Sequence, residues 1–256
     1  MCLRSVGPCR VEVRAWGPGA PDALAAAPRW LGASDGDGGL RGSDHPLVRG
    51  LARRLAGLRL GASGDPLEAL VPTIIEQKVQ GASAKASFCA MVRACGSRAP
   101  DADVAGAPGL LLPPRAPWLV AQPSWAWHRW GVEARRATTI RTAASYAHRV
   151  NECVSMSASD ARRRLRALPG VGAWSAAEVA LVAFGDPDAV SVGDYWLAHW
   201  VCHNLGGEAR GTDERMLELL EPWAGQRGRV CRLVMAGGTA PPRFGPRLSL
   251  QSIAAL

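Results

Sequence analysis

"LPGVGAWSAAEVALVAFGDPDAVSVGDYWLAHW", residues 168–200, joins a proline–glycine turn to an apolar run and then reaches a solitary acid, Asp194. Pro169 ends one helix, and Gly170 and Gly172 give the backbone around Val171 room for a tight turn with no side chain in the way. A second helix is predicted to start at about Ala173. A glycine hairpin feeding a helix start leaves backbone N–H groups pointing outward beside the positive end of the helix dipole. Such a site suits a phosphate oxygen and grips a nucleic-acid backbone without reading its sequence. "PGVG" alone fits an ordinary turn between two helices better, so its surroundings decide.

Three surrounding features favour nucleic acid. Asp194 follows "SVG" at the predicted start of another helix, where a carboxylate is either a helix cap or a reactive group. Of ten tryptophans, Trp174 lies inside the motif, Trp223 in "EPW" downstream, and Trp125, Trp127 and Trp130 upstream. Buried tryptophan is core as a rule, yet a base lifted from the DNA stack also needs aromatic walls. "EARRATTIR", "ARRRLR" and "GQRGRVCR" place arginines on separate helices. Singly these are solvated faces; together they can line a duplex, with Arg227 the candidate contact in the last.

Composition sets the bounds. A chain of 256 residues is long enough for one large domain or two smaller ones. Thirty Lys+Arg against 22 Asp+Glu give a formal charge of +8, which favours a polyanionic partner. No stretch approaches the roughly 20 apolar residues of a membrane span, and "MCLRSVGPCRVEVRAWG" lacks the apolar centre of a signal peptide. A soluble, cytoplasmic, DNA-associated protein of bacterial type is expected, with no membrane contact. Seven scattered cysteines form no CxxC pair and no zinc-type spacing, so free thiols are expected and an iron–sulfur cluster is excluded.

Along the chain, Cys9–Trp16 alternates polar and apolar residues as a strand does, and "PDALAAAPRWLG" has helical spacing. "GASDGDGGLRGSD" is turn-forming, which places a boundary there and predicts a reduced β/α remnant over 1–44 and a helical body over 45–256. In that body "HPLVRGLARRLAGL", two patterns within Asp65–Gly96 parted near Gly81, and the segments through "SASDARRRLRAL" all carry helical periodicity, with Pro72 early in its helix or kinking it. The fold class is mostly α.

"LPGVGAW" followed by "VGDY", with Asp194 twenty residues after Trp174, resembles the helix-hairpin-helix DNA glycosylase superfamily. Within it the chain is similar to the AlkA-type 3-methyladenine DNA glycosylases. "DPLEALVPTIIEQKVQGASA", "PSWAWHRWGVEARRA" and "MLELLEPWAGQRGRV" resemble that family's helices in the same order, from about His45 to the closing "PPRFGPR". The resemblance implies two helical subdomains around a cleft, and hydrolytic excision of alkylated purines, 3-methyladenine and also 7-methylguanine, from duplex DNA in base-excision repair.

Residue by residue, the resemblance makes Asp194 the essential carboxylate that stabilises positive charge on the sugar as the C1′–N bond breaks. Trp174 falls where lyase members carry a Schiff-base lysine, which implies a monofunctional enzyme. Neither Lys78 nor Lys85, the only lysines, falls in that motif. Trp174 and Trp223 match aromatic positions of the base pocket, where a cationic purine gains cation–π attraction. Glu178, one turn after Trp174, stands where relatives carry an aromatic residue; it either favours the cationic base or is a solvent-facing helix residue. Gln77 and Lys78 in "EQKVQ" match the loop that enters the minor groove. An apolar wedge is usual at the Lys78 position, so a phosphate contact is the alternative there. For Gln77 the alternative is an amide tying two helices together. Gly170, Val171, Gly172 and Arg227 complete the candidate DNA contacts. No side-chain metal site or cofactor is expected, and a monovalent cation on hairpin carbonyls is implied by the family alone.

The chain is expected to act as a monomer on damaged double-stranded DNA with no obligate protein partner. AlkA-type enzymes carry a full β-rich front domain, and this sequence begins with only its last strand and helix. A non-catalytic lesion-sensing protein that keeps the hairpin is therefore the competing reading, and retention of Asp194 favours the enzyme.

Overall fold

The computed structural model describes residues 1–100 and 109–242. The end of the segment that carries the family resemblance, 243–247, lies outside the described residues.

Strand-like alternation predicts one strand at the front, and the structure has two. β1 (Cys2–Gly7) pairs antiparallel with β2 (Arg10–Arg14), from Cys2 opposite Arg14 to Gly7 opposite Arg10. β1 escapes sequence reasoning because "CLRSVG" does not alternate; the strand exists through its partner, not its pattern. A two-stranded sheet cannot bury a face by itself, and Leu3, Val6 and Val11 remain exposed. α1 (Ala20–Trp30) follows, with Pro21 in its first turn, where a missing N–H costs nothing.

The Gly/Asp-rich segment after α1 is braced against the body. Asp35 accepts from the Leu60 N–H at 2.8 Å and pairs with both terminal nitrogens of Arg229. Their side chains are 10% and 4% exposed, so this pair is an internal one.

α2 (Pro46–Arg54) precedes α3 (Pro66–Glu76), which Asp65 caps by accepting from the Glu68 N–H. Pro72 stands inside α3, and the two helical patterns of this stretch become α3 and α4 (Gly81–Cys95), parted at the predicted place. A two-residue ladder, β3 (Ser97–Arg98) with β4 (Leu111–Leu112), leads to α5 (Ala116–Ala121), α6 (Ala134–Ser145), α7 (Ala147–Asn151), α8 (Ala158–Arg166) and α9 (Ala173–Val179). α9 runs on as a wider π-type turn over Ala180–Phe184, which Gly185 ends at φ +63°. α10 (Leu197–Gly206), α11 (Asp213–Leu220) and α12 (Arg227–Gly237) complete the described chain.

These helices build two main cores. The larger gathers Leu70, Ile74, Ile75, Met91, Trp127, Ile140 and Leu165 from the segments between α3 and α9. The smaller joins Val48 and Leu51 of α2 to Val201, Met216, Leu220, Val230 and Val234 of the last three helices. The chain therefore leaves one core, builds the other, and returns across the segment from Gly185 to Asp194. Two helical subdomains, a small β element in front and a helix-hairpin-helix at the crossing are what the sequence predicts. Among the described residues no helix is long and apolar enough to cross a membrane.

Candidate active site

The hairpin is set by local chemistry. Leu168 and Val171 close its turn, the Val171 N–H donating to the Leu168 carbonyl at 3.0 Å, while the Val171 side chain is buried in the larger core. Gly170 sits at φ +85°, and a Cβ there would overlap Oγ1 of Thr139 on α6 and lie 2.9 Å from its Cγ2. Glycine is thus required for both conformation and space. Gly172, at φ −93° with nothing within 4 Å of an added Cβ, is not required in that sense. Gly170→Ala is expected to cost about 2–4 kcal/mol, the left-handed strain and the overlap together. Gly172→Ala should cost far less. Urea unfolding of the two variants checks this, and equal losses would refute the assignment.

Gln77, which ends α3, carries out the tying role. Its Nε2 donates to the Gly170 carbonyl at 2.9 Å and to Ser175 Oγ at 2.8 Å, fixing the α3–α4 loop to the hairpin. Lys78 then takes φ +57°, a conformation that costs a residue with a side chain on the order of 1–3 kcal/mol. Earlier in the same turn the buried Arg136 donates to the Ile75 carbonyl. Lys78 itself is exposed.

Asp194 lies where the chain enters the smaller core. Its Oδ1 accepts from the N–H groups of Trp196 and Leu197, both at 2.8 Å, and so caps α10. Its Oδ2 faces the Trp174 indole, whose Nε1 donates at 3.3 Å. Asp194 is thus anchored by one oxygen and presents the other to the indole. Gly193, at φ +91°, donates its N–H to Asp213 and fixes the approach.

The crossing segment that delivers Asp194 is pinned on every side. Asp186 pairs with Arg162 of α8 at 2.7 Å, and Asp188 with Arg227 of α12 through both carboxylate oxygens. Ser191 donates to Glu178, so Glu178 faces this segment and not open solvent. Burial alone would raise the Asp188 carboxyl, but the hydrogen bonds and charge of Arg227 outweigh it and hold it below the usual range. The structure accordingly places Arg227 as a brace of the crossing segment.

Other arginines of the predicted basic faces are also committed internally: Arg136 to the α3 terminus, Arg164 to Glu152, and Arg229 to Asp35. Periodicity marked their helices without showing which arginines meet acids. Trp127 and Trp130 are buried in the larger core with Trp118 packed against them, whereas Trp125 of the same segment is 77% exposed. Trp223 is half-buried against the smaller core, its Nε1 donating to Ser43 Oγ at 3.1 Å and its ring edge-on to His45. Among the described residues no aromatic pair joins it to Trp174.

Two site residues escaped sequence reasoning. Glu76, just before Gln77, has a carboxyl pushed up by partial desolvation and by the negative charges of Glu178 and Asp194, which lie within electrostatic reach of it. Tyr195, beside Asp194, is 73% exposed and stands edge-on to Trp196 at 4.8 Å. The signal for both lay in "EQKVQ" and "VGDYW", one residue from positions already singled out. The hairpin carbonyls of Leu168 and Gly170 already accept hydrogen bonds. Among the described residues no group of three or more His, Cys, Asp or Glu is placed to hold a metal ion.

No protein-family profile matches the chain, and no curated protein sequence does. Solved structures do. A 3-methyladenine DNA-glycosylase from Archaeoglobus fulgidus is similar with a TM-score of 0.69 and 18% identity, over 88% of this chain and 77% of that one. An 8-oxoguanine glycosylase/lyase from Clostridium acetobutylicum gives 0.67 and 15%, over 84% and 75%. The 3-methyladenine DNA glycosylase Mag1 of Schizosaccharomyces pombe, in complex with abasic DNA, gives 0.61 and 16%, over 77% and 93%. At these identities the likeness is one of fold, and it agrees with the hairpin, the two cores and the crossing segment: the chain has the fold of the helix-hairpin-helix DNA glycosylases.

Proposed function

We propose that the chain is a monofunctional DNA N-glycosylase that hydrolytically excises alkylated purines, 3-methyladenine foremost and 7-methylguanine as well, from damaged duplex DNA. The observation that carries this reading is Asp194, with one oxygen fixed by two backbone N–H groups and the other beside the Trp174 indole. A carboxylate so held stabilises the oxocarbenium-like charge that grows on the sugar as the C1′–N bond stretches. The base departs with the bonding electrons, and water completes the sugar. A cationic purine departs as a neutral molecule and needs little further help.

Trp174 offers a π face for that cation, a contact worth about 0.5–2 kcal/mol, and Glu178 one turn on adds negative charge to the same side. The exposed Gly170 and Gly172 let a phosphate reach the first N–H groups of α9, which have no acceptor within the helix. The solved relatives that carry DNA support a duplex as the partner, and a monomer acting in the cytoplasm is the simplest arrangement.

Base release from methylated duplex DNA, with purines separated chromatographically at fixed salt, tests the proposal. Free 3-methyladenine is the expected product. Tight DNA binding with no released base would instead support a lesion-sensing protein without turnover.

A further inference from the structure

Asp194 is held from two sides that belong to different cores. Its Oδ1 caps α10, whose Leu197 and Ala198 are buried in the smaller core, so that tie moves with α10 and does not set the distance to α9. The Gly193 N–H is likewise bound to Asp213, at the start of α11. On the other side stands α9, whose Ala176 and Val179 are buried in the larger core. Among the described residues the Asp194 side chain meets α9 only through the Trp174 indole, at 3.3 Å. That bond is longer than the roughly 2.9–3.0 Å of a typical N–H···O contact and is a weak tether by itself. A second tie lies three residues earlier. Glu178, one turn after Trp174 on the same face of α9, accepts from the Ser191 hydroxyl. Ser191 is 4% exposed, and Val190 and Val192 on either side of it pack against the smaller core. The Ser191 carbonyl in turn accepts the Asp194 N–H at 3.1 Å, closing the turn in which Gly193 takes φ +91°. Ser191 thus joins α9, through its hydroxyl, to the backbone of Asp194, through its carbonyl. A carboxylate acceptor makes the hydroxyl bond a strong one, and a buried hydroxyl is costly to leave unpaired.

We propose that Glu178 is a positioning residue for Asp194 and acts through Ser191. It fixes the first corner of the turn from which Asp194 meets Trp174, and with it the place of the carboxylate relative to α9. The inference rests on Asp194 acting at the sugar, and it adds no group that touches the substrate in this role. A displacement of about 1 Å at a reacting group is enough to cost about 10²-fold in rate, so a tie of this kind is felt in the chemical step and not in the grip on DNA. The hold on Ser191 is separable from the charge of Glu178, because glutamine keeps an oxygen that accepts from the hydroxyl and carries no charge.

Two readouts on the full chain test this, and the first needs no turnover. It is the indole N–H resonance of Trp174 in protein with isotope-labelled tryptophan, assigned with Trp174→Phe, with Asp194→Ala giving its position in the absence of the carboxylate. Glu178→Ala and Ser191→Ala are each expected to move the resonance toward the Asp194→Ala position, whereas Glu178→Gln should leave it near wild type. The second readout is single-turnover base release from methylated duplex DNA, with binding to undamaged duplex followed by fluorescence anisotropy. Glu178→Ala and Ser191→Ala should each slow release at least about tenfold at unchanged affinity, and the double variant should be no slower than the slower single, as befits two ends of one bond. Glu178→Gln should recover most of the loss. Ser191→Ala strands no hydroxyl, so it carries the test on its own should Glu178→Ala fail to fold. An unmoved indole resonance in the alanine variants, additive losses in the double variant, or Glu178→Gln as slow as Glu178→Ala would overturn the proposal, the last by showing that charge and not position matters. If wild type released no base while the resonance responded as expected, the positioning role would stand and the glycosylase assignment would fall instead.

Discussion

Asp194→Asn is expected to reduce single-turnover base release by at least about 10²-fold, the scale on which loss of one preorganised electrostatic contact acts in an enzyme site. The substitution separates capping from the proposed catalytic role. Its Oδ1 receives the Trp196 and Leu197 N–H groups, and asparagine caps a helix about as well as aspartate. Stability and DNA affinity should therefore stay close to wild type. What disappears is the negative charge beside Trp174, together with the acceptor for its indole N–H, since the amide nitrogen takes that place. Asp194→Ala removes the cap as well and should add about 1 kcal/mol of destabilisation. Base release, DNA anisotropy and thermal unfolding, measured on the three proteins, distinguish the tasks. If Asp194→Asn released base as fast as wild type, the catalytic assignment would fail.

The hairpin was legible because its determinants are local. A proline that stops a helix and a glycine at positive φ act within a few residues, and Asp194 could be placed at a helix start for the same reason. Whether Asp194 is only a cap could not be resolved locally, because one oxygen accepts the backbone N–H groups while the other faces an indole twenty positions away. Glu76, Glu178 and Asp194 come from three segments, so nothing in any one segment marks their proximity. The tie from Gln77 to Gly170 likewise spans 93 positions. The internal partners of the arginine runs were illegible for a related reason. A helix face rich in arginine looks solvated from its own sequence, yet Arg162, Arg227 and Arg229 each meet an aspartate supplied from elsewhere.

The Arg229–Asp35 pair should also be the most costly single point at which to break the fold. Asp35→Ala is expected to lose about 3–5 kcal/mol, because it leaves the guanidinium of Arg229 buried with no opposing charge. Burial by itself would raise the Asp35 carboxyl. Hydrogen bonds from Arg229 and the Leu60 N–H, with the charges of Arg229 and Arg59, outweigh that effect and hold it below the usual 3.8. For a depressed carboxylate the sign is fixed: the stabilisation is full above the unfolded value and is lost as pH falls through the lower folded value. Wild type should therefore weaken on acidification below about pH 4, with Asp188 contributing in the same direction. Asp35→Asn should start less stable at pH 7 and show a shallower acid slope in urea unfolding at several pH values. Replacing both partners, Asp35→Leu with Arg229→Met, should recover much of the loss, since no charge is then stranded. A cost below about 1 kcal/mol for Asp35→Ala, or a double variant no better than the single, would mean that the front segment is held by packing alone.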